Sequence, residues 1–168
     1  QQWIYDPTPA FSYGLNIYLE YKNFDLTLFW QGVQGVDIIS DLKKETDLWS
    51  GLNIGFLNKG KRVLDAWSPI NPDSNIPALS RDDINNEKRV STYFVENGSY
   101  LKLRNLQIGY NVPENVVKKI KMERLRFYLS AQNLLTIKSK DFTGVDPENP
   151  NFGYPIPLNL TFGVNVSF

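Results

Sequence analysis

Two pairs of carboxylates are the first residues whose types and spacing could do chemistry: Asp146 with Glu148, and Asp82 with Asp83. Paired acids can cleave a glycosidic bond when two carboxyl groups are held at a fixed separation across a cleft. They can also bind calcium when further oxygen ligands recur at regular spacing. Neither pair carries such a surrounding pattern. The chain has no His, which removes the commonest general base and transition-metal ligand, and no Cys, which removes thiolate sites and disulfides. Gly32-Val33-Gln34-Gly35 lacks both the spacing and the Lys of a phosphate-binding loop. No catalytic, cofactor-binding or metal-ligating residue is therefore expected.

The remaining chemistry is aromatic. With 10 Phe, 9 Tyr and 4 Trp, aromatic residues make up 14% of the 168 residues, yet mean hydropathy is negative at -0.34. Trp49 and Trp67 sit in polar stretches where an indole could stack on a sugar ring, although Trp67 could equally be a plain loop anchor. The 18 Lys+Arg balance 18 Asp+Glu, so the clustered basic excess of a nucleic-acid binder is missing. No run approaches the ~20 apolar residues of a membrane helix. An aromatic-rich, moderately polar chain fits a soluble β-sandwich or a membrane β-barrel with one wet face.

Five segments alternate apolar and polar residues with the period of two that marks strands with unlike faces. They lie at about 10–22, 24–34, 93–112, 124–137 and from 159 to the end. The first shows Phe11, Tyr13, Leu15, Ile17, Leu19 and Tyr21 against Ser12, Gly14, Asn16, Tyr18, Glu20 and Lys22. The last shows Leu160, Phe162, Val164, Val166 and Phe168 against Asn159, Thr161, Gly163, Asn165 and Ser167. Such lengths exceed the usual ~5–6 residues of a soluble strand and suit a tilted crossing of a bilayer. The connections alternate short and long: Lys22-Asn23 and 113–123 are short, 36–90 and 138–158 long. Short periplasmic turns and long extracellular loops give a membrane barrel that alternation. On this reading Tyr21, Phe24, Tyr110, Phe127 and Phe168 form a periplasmic aromatic belt, with Phe11, Tyr13, Trp30 and Phe162 near the other end. One conflict stands out. Extending the apolar phase of the third strand upward from Leu106 puts Arg104 and Lys102 on the lipid side. Either they snorkel at the outer interface, or a β-bulge near Asn105 changes the phase.

Four motifs then carry a resemblance. Tyr21-Lys22-Asn23-Phe24-Asp25-Leu26 leads into Gln31-Gly32-Val33-Gln34-Gly35. Asn97-Gly98-Ser99-Tyr100-Leu101-Lys102-Leu103-Arg104-Asn105-Leu106 leads into Gly109-Tyr110-Asn111-Val112-Pro113. Arg126-Phe127-Tyr128 runs to Asn133-Leu134-Leu135-Thr136, and Gly144-Val145-Asp146-Pro147-Glu148 precedes Tyr154-Pro155 and Phe162-Gly163-Val164-Asn165-Val166-Ser167-Phe168. In order and spacing these resemble the C-terminal part of SusC/RagA-like, TonB-linked outer-membrane transporters. The resemblance spans most of the chain except about 36–90.

It implies an all-β fold: an antiparallel transmembrane β-barrel segment, the last five strands of a barrel of about 22 strands. It implies uptake of oligosaccharides or peptides in a Gram-negative outer membrane, in contact with lipid and lipopolysaccharide. A SusD-like surface lipoprotein would cap the barrel, and TonB would act through a plug region preceding Gln1. Five strands cannot close a barrel, so the chain is expected to be a piece of something larger. Tyr18, Glu20, Asp25, Phe29, Arg126, Tyr128 and Gln132 become candidates for the lumen wall. Trp49, Trp67, Asp146, Glu148 and Tyr154 become loop candidates for partner or ligand. Leu160, Phe162, Val164, Val166 and Phe168 resemble a C-terminal assembly signal. The alternative is a soluble secreted β-sandwich that binds carbohydrate.

Overall fold

A computed structural model describes residues 4–48, 58–80, 86–150 and 153–168. The alternating segments form long strands because each offers one apolar and one polar row to neighbours of the same pattern. These are β1 (Phe11–Tyr21), β2 (Phe24–Gln34), β5 (Tyr100–Asn111), β6 (Arg124–Lys138) and β7 (Asn159–Ser167). Two short strands, β3 (Asp37–Ile39) and β4 (Val95–Asn97), lie between β2 and β5. The five long strands make one sheet in the order β1-β2-β5-β6-β7, antiparallel throughout. Each joins its nearest long-strand neighbour in sequence, the meander of an up-and-down barrel wall. A sandwich would divide these strands between two facing sheets. Instead β3 and β4 pair only with each other and prolong the β2–β5 hairpin.

The short connections lie at one end of the sheet. Lys22, in a left-handed conformation (φ 55°), turns β1 into β2, and residues 112–123 join β5 to β6 through the helical turn α2 (Glu114–Val117). The long connections lie at the other end. The first is a folded unit rather than a bare loop: it holds β3, β4 and the helix α1 (Asp41–Asp47), whose start is capped by Ser40 Oγ accepting from Lys43 N at 3.3 Å.

The register separates two faces. One carries Leu15, Trp30 and Leu103 in one row, Ile17, Leu28 and Leu106 in another, and Ile108, Leu129 and Phe162 in a third. Among the described residues of that face no side chain is charged. The buried residues do not form a layer under it. Most gather at the long-connection end, among them Leu48, Phe94, Tyr100, Lys102, Phe142 and Asp146.

The structure decides the conflict in the third strand. Phe29 pairs with Asn105 and Trp30 with Leu103, so Arg104 is an extra residue in β5 and the phase changes there. Leu101 and Leu103 keep to the apolar face, while Lys102 moves to the polar face opposite Gln31 and Thr136. Lys102 and Arg104 therefore do not snorkel into an outer interface, because the bulge turns them inward. Asn133, left-handed (φ 56°), absorbs the matching step in β6, a conformation Asn tolerates better than most residues.

The aromatic belts need one correction. Tyr21, Phe24, Tyr110 and Phe127 cluster at the short-turn end, with Phe24 and Tyr110 rings 4.8 Å apart. Phe162 does not join Phe11 and Tyr13 at the other end, because its ring stacks 6.4 Å from Phe127. β7 is only 9 residues long and starts opposite Gln132, well below the top of β6, so Phe162 sits lower than its distance from the C-terminus implied.

Candidate functional site

The bulge at Arg104 builds a polar cluster at the long-connection end of the sheet. Asp146-Pro147-Glu148-Asn149 forms a turn closed by Asn149 N donating to Asp146 O at 3.0 Å. Pro at its second position presets the backbone, and Asp146 Oδ1 accepts Glu148 N at 3.0 Å. Both carboxylates point at the sheet. Lys102 Nζ donates to Asp146 Oδ1 and to Glu148 Oε2, each at 2.6 Å, with only 1% of the Lys102 side chain exposed. Tyr100 OH donates to Glu148 Oε1 at 2.7 Å, and Arg104 pairs with the same carboxylate. Arg104 Nε also donates to Gln31 Oε1 at 2.7 Å. Burial pushes the Glu148 carboxyl up, but hydrogen bonds from Lys102, Tyr100 and Arg104 outweigh it and hold it below the usual carboxylate range.

A second set of contacts ties this loop to the β2–β5 unit. Glu96 in β4 is buried, accepts Thr143 Oγ1 at 2.6 Å and Thr143 N at 3.1 Å, and pairs with Lys43 Nζ at 3.1 Å. Deeper in that unit, fully buried Asp47 accepts Arg62 Nε at 2.7 Å and Tyr93 OH at 2.6 Å. Burial, then the bond to Asp47, pushes the Tyr93 phenol well above its usual range. The two long connections are thus preorganised against each other and against the polar face.

The polar face carries the lumen candidates together. Tyr18, Glu20, Asp25, Phe29, Arg126, Tyr128 and Gln132 all lie on it by register. Near the short-turn end, Arg126 reaches diagonally across Gly109 to Asp25, with Nη2–Oδ2 at 2.5 Å and Nε–Oδ1 at 3.1 Å. Asn111 Nδ2 adds a third donor at 3.2 Å. A Cβ on Gly109 would overlap both partners, so Gly is what lets the pair close. Tyr18 OH donates to Glu20 Oε2 at 3.1 Å.

The remaining candidates separate. Asp146 and Glu148 are joined by the Lys102 cluster, where their oxygens are engaged rather than set apart across a cleft. Trp67 is half exposed, in a turn pinned by its own N–H donating to Ile76 O at 2.8 Å. Tyr154 is 95% exposed, and its carbonyl accepts Asn149 Nδ2 at 2.9 Å. Trp49, with Asp82 and Asp83, lies outside the described residues. Leu160, Phe162, Val164 and Val166 line the apolar face of β7, and Phe168 follows it. Sequence reasoning missed Tyr100, Glu96, Asp47, Arg62 and Tyr93, and left the face of Lys102 open between snorkelling and a bulge. The one available signal was the basic pair breaking an otherwise apolar phase.

A meandering sheet with one long uncharged apolar face and one polar face is barrel-wall architecture. The comparisons agree with it. No family model matches the chain. TonB-dependent receptor P3 of Formosa agariphila is 38% identical over 97% of the chain, and TonB-dependent receptor P26 of the same organism 32% over 96%. The RagAB peptide importer, solved in an 'open-open' state, superposes with a TM-score of 0.79 at 28% identity over 96% of the chain. The chain spans 17% of each of these relatives and of that structure. It is thus similar to one stretch of TonB-dependent receptors and shares the barrel-wall fold of the RagAB importer.

Proposed function

We propose that this chain forms part of the wall of an outer-membrane, TonB-dependent nutrient transporter of a Gram-negative bacterium. The observation that carries this is the uncharged apolar face, wide and exposed, opposite a polar face with buried ion pairs. In water such a face would be a large unpartnered hydrophobic patch. In a bilayer it is the lipid-facing band. β2 has 11 residues. At about 3.3 Å each they span about 36 Å, and a tilt of about 40° leaves about 28 Å, close to the ~25 Å apolar height of such barrels.

The polar face then borders the lumen, where Asp25 with Arg126, and Tyr18, Glu20, Phe29, Tyr128 and Gln132, meet the plug. The long connections are extracellular, so Trp67 and Tyr154 face a SusD-like lipoprotein and lipopolysaccharide surrounds the outer rim. TonB acts on another part of the polypeptide. Cargo is an oligopeptide or oligosaccharide, with peptide favoured by the likeness to a peptide importer. Asp146 and Glu148 serve the loop's structure here, since both are held in ion pairs with Lys102.

The direct test is Leu129→Arg in the full receptor. Leu129 lies on the apolar face between Ile108 and Phe162, one row inward from Phe127. Facing lipid at that depth, the substitution should cost about 1–3 kcal/mol. The folded, heat-modifiable fraction recovered from outer membranes should fall sharply. Unchanged recovery would mean that this face is wet, and the membrane reading would fail.

A further inference from the structure

At the extracellular end of the polar face is a cleft of about 580 Å³, within the range of small-ligand sites. Its walls come from four segments: Tyr5 and Pro7 from the stretch before β1, Val36 between β2 and β3, Tyr100 at the start of β5, and Pro147 and Pro150 from the ion-paired loop. The two carboxylates on the lining are already in use. Glu148 is held by Lys102, Tyr100 and Arg104, and Asp37 Oδ2 accepts Asp6 N at 3.1 Å. A sugar could stack on the tyrosine rings, but most of its hydroxyls would meet valine, isoleucine and proline side chains that cannot bind them, and buried unpaired hydroxyls are costly. An apolar side chain or proline ring carries no such need, and rings and prolines recognise extended peptide by surface contact. The walls are also preformed. Asp6 O accepts Asp37 N at 2.9 Å, and the Lys102 cluster fixes Pro147, so little ordering cost falls on binding.

Resting on the transporter reading above, we infer that this cleft is a subsite for one apolar or proline residue of an extended oligopeptide, at the extracellular mouth of the barrel. The experiment uses the full receptor with its lipoprotein in detergent, and calorimetric titration. Two octapeptide probes differ only at the centre, Leu-Pro in one and Ser-Ser in the other, on an all-Ala frame; maltoheptaose is the glycan probe. Val36→Trp fills the cleft. It should weaken the Leu-Pro peptide about tenfold or more, the scale of losing one buried apolar side chain, and leave the Ser-Ser peptide unchanged. Val36→Asn, which keeps the volume and adds polarity, should act in the same direction with a smaller change. Each variant is first checked for heat-modifiable migration, and the pair keeps the test open if one misfolds. Equal loss for both peptides, or no change in either, overturns the subsite while leaving peptide transport standing. Binding of maltoheptaose and of neither peptide overturns the peptide cargo itself, and the subsite with it. A fall in thermal stability on Val36→Trp with peptide affinities intact shows the cleft to be filled by the receptor's own chain, which also overturns it.

Discussion

Replacing Lys102 by Met removes the charge at the centre of the loop cluster and keeps most of the apolar stem. Lys102 is 1% exposed and donates to Asp146 and Glu148 at 2.6 Å each. The two acceptors fare differently without it. Glu148 keeps Tyr100 and Arg104, whereas Asp146, only 5% exposed, keeps the Glu148 N–H. Removing one member of a buried pair costs about 3–5 kcal/mol, mostly through the charge left behind. That cost should fall on loop docking and not on the sheet, because the β5–β6 ladder is made by the backbone. Each 1.4 kcal/mol is a factor of ten, so the loop should open about two to three and a half orders of magnitude more often. Hydrogen exchange read by mass spectrometry on peptides from 139–150, with 126–132 as the internal reference, measures this directly. Adding Asp146→Leu should recover much of the protection, since no stranded carboxylate remains. Unchanged exchange in the loop, equal loss in the reference strand, or strict additivity of the two substitutions would each refute the reasoning.

The other predictions concern the same elements. Because the folded-state pKa of Glu148 is lowered, its contribution is fully present above the ordinary carboxylate value and is lost as pH falls through the lowered one. Protection of 139–150 should therefore hold from pH 7 down to about 5 and fail only in more acidic buffer, with loss already at pH 6–7 counting against the ion-pair account. Gly109→Val places a side chain between Asp25 and Arg126 and should destabilise the wall by about 1–3 kcal/mol, seen as a lower unfolding midpoint in urea with the barrel in detergent. An unchanged midpoint would mean that the pair is not closed across Gly109. Deleting Phe168 should reduce the amount of folded receptor in outer membranes without lowering the stability of what does fold. A drop in that stability instead would assign Phe168 to packing and not to assembly.

The amino-acid sequence by itself determined the strand pattern and the sorting of connections by length, because alternation is a local property of each segment. It ran the third strand back to 93, where the structure has a helical turn and β4 (Val95–Asn97) before β5 begins at Tyr100. It also placed Tyr18, Glu20, Asp25, Phe29, Arg126, Tyr128 and Gln132 on one face, since parity alone sets that. What it left open was everything that depends on register between strands. Counting by twos through Arg104 gave two incompatible faces for Lys102, and only pairing with β2 and β6 shows the extra residue that turns it inward. The same limit misplaced Phe162, whose height follows from where β7 begins against β6. The Asp146–Glu148 pair was visible as chemistry, but its partners Lys102, Arg104 and Tyr100 lie more than forty residues away in the chain. Contacts of that span are made by the fold. Tertiary structure therefore decided that these carboxylates hold the loop to the sheet.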